Sequence, residues 1–134
     1  METSVKAIFI DAQNKEVKEI TLPMENTLKA VYPMIGENCQ LVEGIVYVNQ
    51  FDLILGDEEA YYNGYDFGFV VDGYGYIHGN AVILGSDADG ENANVDTFLL
   101  DEIKRKITFP DKNVVEYMIK KVQNTPFTFT SWDI

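Results

Sequence analysis

Residues Ala60–Gly85, AYYNGYDFGFVVDGYGYIHGNAVILG, decide how the rest of the chain is read, and they hold seven of its seventeen aromatic side chains. Asp72-Gly73 is the pair best suited to a type I′ turn, because both central positions of that turn need positive φ. A two-residue turn there pairs Val71 with Tyr74, Phe69 with Tyr76 and Phe67 with His78, and all six side chains share one face. The opposite face, Val70 with Gly75 and Gly68 with Ile77, is nearly bare. The reading therefore expects one aromatic side that another element must cover.

Working outward toward the N-terminus, Val5–Ile10 and Val17–Leu22 read as a first hairpin joined by the polar turn Asp11–Lys15. After Pro23, Asn26 is placed to cap a helix with the stripe Leu28, Val31 and Ile35, ended by Gly36 and strained by Pro33. Cys39–Val48 reads as a second hairpin about Glu43-Gly44, and Phe51–Leu55 continues apolar. Toward the C-terminus, Gly79-Asn80 turns the aromatic hairpin into a third strand, Ala81–Leu84, and Gly85–Asp96 is an acidic surface loop. Asp96 caps a helix that buries Leu99, Leu100, Ile103 and Ile107. A further helix from Asp111 to Val122 and an edge strand over Phe127–Trp132 complete the chain. The sum is a single α+β domain, mostly antiparallel sheet built of hairpins with about three helices.

The chain has 134 residues and a formal net charge of −12, from 22 acidic against 10 basic side chains. Such a balance argues against direct binding to nucleic acid or to an anionic membrane, both of which attract clustered Lys and Arg. A basic protein partner suits it better. Cys39 is the single cysteine, so no intrachain disulfide is possible, and METSVKAIFIDAQ is too short in apolar residues for a signal-peptide core. A cytoplasmic protein is expected.

Four features are candidates for chemistry. The Asp87–Asp96 loop alternates carboxylates around Gly90, but its glycine and its missing twelfth-position Glu do not match an EF-hand, and no metal or other cofactor is expected. His78, the only histidine, has no nucleophile or orienting group near it in sequence, so no catalytic residue is assigned and a hydrogen-bonded structural histidine is the plainer reading. Tyr61, Tyr62, Tyr65, Tyr74 and Tyr76, with His78, either pack as core or form a ligand-binding face for a nucleotide-like or aromatic molecule. Finally, Phe51–Glu102 contains no Lys or Arg, and Asp57, Glu58, Glu59, Asp87, Asp89, Glu91 and Asp96 are candidates for binding a basic partner. If their two loops lay at one end of the sheet, the carboxylates would imitate a row of phosphates.

The order of these elements resembles a family of small proteins of unknown function encoded by bacteriophages, plasmids and their hosts. The resemblance is carried by VKAIFIDAQNKEVKEITL, AVYPMIGENC, GIVYVN and NAVILGSDADGEN followed by a charged helix ending KITF, and it covers Val5–Phe109. The C-terminal 110–134 lies outside it as an extension. The resemblance implies a mobile-element origin and carries no catalytic residue. It favours a non-enzymatic inhibitor of a host nucleic-acid or defence enzyme over the small-ligand alternative. Trp132 and the C-terminal strand offer an edge for a homodimer contact.

Overall fold

A computed structural model describes residues 4–36, 39–96, 98–111 and 113–114, with the side chains of Tyr61 and Tyr62 excepted. Of the expected helix beyond Asp111 only Asn113 and Val114 are described, and the rest of it, the terminal strand and Trp132 lie outside the described residues. Along the chain run β1 (Ser4–Asp11), β2 (Glu16–Pro23), α1 (Thr27–Ile35), β3 (Val42–Tyr47), β4 (Asp52–Asp57), α2 (Ala60–Asn63) and β5 (Gly68–Val71). Then follow β6 (Gly75–His78), β7 (Ala81–Ser86), β8 (Asn92–Ala93), α3 (Leu99–Lys106) and β9 (Ile107–Thr108). All strand pairs are antiparallel. The sheet-dominated α+β class is as expected, but the helix number is corrected: α2 is a single turn, so two helices rather than about three are present among the described residues.

The main sheet has the order β2-β1-β7-β4-β3, with β8 added beside the end of β7, and a second sheet has the order β6-β5-β9. β1 and β7 are nearly continuous apolar runs because both faces of the main sheet are covered. Ile8, Ile10, Ile54, Ala81 and Ile83 face the small sheet and α3, where they meet Phe69, Val71, Ile77, Leu99 and Ile103. Val5, Ala7, Phe9, Leu55, Val82 and Leu84 face the other way, onto Val31 and Ile35 of α1.

Four expectations are corrected. The aromatic hairpin slips by one residue: Val71 pairs with Gly75, Phe69 with Ile77, Val70 with Tyr76 and Gly68 with His78. Its loop has three residues, with the Tyr74 amide donating to the Val71 carbonyl and with positive φ at both Gly73 and Gly75. Because side chains alternate, that slip sends Phe69 into the core and leaves Tyr76 and His78 on the opposite face. Second, β7 leaves this hairpin and joins the other sheet. Third, Glu43-Gly44 is not a turn. β3 runs straight through it, with a bulge that admits Ile45 as an extra residue, and its partner is β4. The turn lies at Asn49 instead, whose Oδ1 accepts from the amides of Phe51 and Asp52. Fourth, Asn26 makes no side-chain cap and Leu28 is 49% exposed; Thr27 takes the inward place, its hydroxyl donating to the Pro23 and Met24 carbonyls.

Candidate functional site

Asp57 ends β4, and burial there forces its carboxylate to find donors within the protein. It is 4% exposed. Oδ1 accepts from the Glu59 amide at 2.8 Å, and Oδ2 accepts from Asn63 Nδ2 at 2.6 Å and from the Tyr65 hydroxyl at 2.7 Å. The single turn α2 exists to bring Asn63 back over this carboxylate, and Gly64, at φ 66, releases the chain so that Tyr65 can follow. Tyr65 in turn lies against Gly36: a Cβ there would sit 2.0 Å from its hydroxyl oxygen. Gly36 is extended at φ −178, so it is required for this close approach and not for its backbone angle.

Electrostatics follow from the same burial. Desolvation first, and then the Asp57 hydrogen bond and charge, push the Tyr65 phenol well above its usual range. Burial, and next the Asp57 charge, raise the Cys39 thiol to about 11, so it is protonated at neutral pH and a poor nucleophile. Sequence reasoning missed this cluster, since it joins Cys39, Asp57, Asn63 and Tyr65 across three connections.

Asn80 makes a second buried tie. Its Oδ1 accepts from the Ala12 amide at 2.8 Å and its Nδ2 donates to the Met34 carbonyl at 3.2 Å, fixing the β1–β2 turn against the end of α1. Between these two ties lies a cleft of about 580 Å³, bordered by Gln13, Met34, Gly36, Tyr65, Asp66 and Phe67 among others. A shallower hollow of about 290 Å³, which includes Lys15 and Gly68, adjoins it through Gln13, Asp66 and Phe67.

The acidic candidates divide between two ends of the main sheet. β4 and β7 are antiparallel with Asp52 opposite Gly85, so Asp57–Glu59 and the loop after Ser86 are separated by about 17 Å of strand. No continuous row of carboxylates forms, and the phosphate-row geometry is thereby corrected. Asp57 also leaves the expected surface set, while Glu58 stays exposed and Glu59 is partly so. At the other end Asp87 is exposed, and its Oδ1 accepts from the amides of Asp89 and Glu91, holding the loop so that Asp89 and Glu91 project to solvent. Asp96 accepts from the Phe98 amide at 2.9 Å in the turn before α3, but Phe98 holds the N-cap position, no side chain caps the helix, and Ile107 lies beyond it in β9, so the expected Asp96 cap and the last position of the expected stripe are corrected. Among the described residues no group of three or more His, Cys, Asp or Glu side chains converges as a metal site.

The aromatic candidates are likewise dispersed. Tyr74 is in the hairpin loop and 52% exposed, and Tyr65 is buried on Asp57. Tyr76 and His78 meet edge to face at 4.7 Å on the outer face of the small sheet. Burial lowers the His78 pKa and raises that of Tyr76 to about 12, the latter with help from Asp66. The Tyr76 hydroxyl is closed off over Gly68 and has no hydrogen-bond partner among the described residues. Tyr61 and Tyr62 fall in α2, with side chains outside the description. Among the described side chains, the shared aromatic face does not form.

Comparison with known protein families, curated proteins and solved structures found no match. No helix among the described residues is long and apolar enough to cross a membrane.

Proposed function

We propose that this is a non-enzymatic acidic protein of phage or mobile-element type that binds a basic protein partner, such as a host nucleic-acid or defence enzyme, in the cytoplasm. The observation that carries the reading is the stretch Phe51–Glu102, which has twelve carboxylates and no Lys or Arg. Its exposed members Glu58, Asp89, Glu91 and Asp96 make no ion pair among the described residues. Unpaired like charges repel one another across a folded surface and accelerate encounter with an oppositely charged one. Recognition works through two separate acidic ends, not through a phosphate-like row.

The test is capture of partners from a bacterial lysate at roughly 50 and 500 mM salt, conditions that span a threefold change in screening length. A partner held at low salt should be released at high salt, and the double variant Asp89→Lys/Glu91→Lys should weaken its association by about tenfold. Asp87 is spared because its carboxylate builds the loop. A partner whose binding ignores both salt and charge reversal would reject the reading.

A further inference from the structure

The 580 Å³ cleft is a place where four separately encoded segments meet: the β1–β2 turn, the end of α1, the connection from α2 to β5, and the turn before β7. Its walls are held by buried polar ties at Asp57 and Asn80 that a loop-only surface would not need. No Lys or Arg lines it. Its one charged lining group is Asp66, whose carboxylate is exposed and makes no hydrogen bond or ion pair among the described residues. Phe67, half-buried, lines the same cleft as Asp66, and the Tyr65 ring stands 5.3 Å from the Phe67 ring at 54°.

A carboxylate next to an aromatic ring, in a chain of net charge −12, selects a cation. Planarity narrows the choice. A guanidinium is weakly hydrated, stacks on an aromatic face and offers a fork of N–H donors to a carboxylate, whereas an ammonium is a strongly hydrated point charge that gains less from the ring. Gln13, which also lines the cleft, carries a side-chain carbonyl able to accept. We infer that the cleft receives an arginine side chain of the basic partner, with Asp66 pairing its guanidinium and Phe67 stacking on it. The inference rests on the partner reading above and supplies its anchor, since buried arginines are among the residues that concentrate binding energy at interfaces. Lys15, in the adjoining hollow, is the cation that opposes the arrangement.

The experiment uses the whole protein and two acetylated, amidated nonapeptides of equal charge, one with four arginines and one with four lysines in the same glycine–serine frame. At low salt the arginine peptide should bind roughly tenfold more tightly. Asp66→Asn should reduce that preference to about twofold or less, and Phe67→Leu, which keeps an apolar side chain but removes the ring, should do the same. Lys15→Ala should strengthen arginine-peptide binding by about two- to threefold. The surface variant Asp89→Lys/Glu91→Lys should weaken both peptides alike and leave their ratio unchanged. Equal binding of the two peptides to the unaltered protein, or a preference that survives both Asp66→Asn and Phe67→Leu, overturns the cleft assignment while the partner reading stands. Failure of both peptides to bind at low salt overturns both.

Discussion

Asp57 and Asp87 are the same residue in two acidic turns at opposite ends of one sheet, and the fold uses them in opposite ways. Asp57 is buried and accepts three hydrogen bonds that close a wall of the cleft. Asp87 is exposed and uses one oxygen to hold the turn that turns Asp89 and Glu91 outward. Charge alone does not separate a structural carboxylate from a recognition carboxylate; the donors within reach do. Removing Asp57 should therefore be the more costly of the two changes: Asp57→Ala strands a buried phenol and a backbone N–H, for a loss of about 3 kcal/mol in denaturant unfolding. Asp87→Ala, where water replaces the lost acceptor, should cost about 1 kcal/mol or less. Equal losses would break the contrast.

A second variant sharpens it without touching any charge. Gly36→Ala drives a methyl group into the Tyr65 hydroxyl and so pushes the phenol off Asp57. Overpacking of this kind costs about 1–3 kcal/mol. Ultraviolet titration should then show Tyr65 ionising at lower pH than in the unaltered protein, because it has left its buried place beside a carboxylate. An unchanged phenol titration would mean that Tyr65 does not depend on Gly36.

The sequence was most legible where period and turn chemistry agreed. β1 and β2 fall where the apolar pattern puts them, in the register Ser4–Pro23 through Asp11–Glu16, and α3 buries Leu99 and Ile103 of the expected stripe. It was least legible in the aromatic hairpin. There Asp72-Gly73 promised a two-residue turn, but Tyr74 joins the loop as a third residue and Gly75, at φ 133, takes up the pairing with Val71, and one residue is enough to invert every side chain beyond it. Glu43-Gly44 misled for the converse reason: a glycine beside a bulge in a strand reads locally like a turn. The cleft was not legible at all, because its residues are brought together by contacts distant in sequence, such as Asn80 with Met34 and Ala12.

The slipped hairpin also sets the pH behaviour. His78 is partly buried and its pKa is lowered by desolvation. The unfolded chain then binds a proton that the folded chain refuses between the folded value and the ordinary value near 6.5. Stability is full above that ordinary value and falls as pH drops through the window. His78→Gln should flatten this part of the stability–pH curve, as read from melting temperatures between roughly pH 7.5 and 5. A curve that keeps its slope assigns the loss to other groups.

The smallest effect expected is also the most diagnostic of the observed register. In the slipped hairpin the Tyr76 hydroxyl is buried over Gly68 without a partner among the described residues, which costs about 1–3 kcal/mol relative to a satisfied group. Tyr76→Phe removes the polar atom and keeps the ring against His78, so stability should stay constant or rise by up to about 1 kcal/mol. In a two-residue-turn register Tyr76 would instead sit beside Phe69. Phe69 is fully buried, so Phe69→Ala should cost about 3–5 kcal/mol. A double-mutant cycle between the two sites separates the registers: near-zero coupling is expected for side chains on opposite faces, and coupling above about 0.5 kcal/mol would place them on the same one.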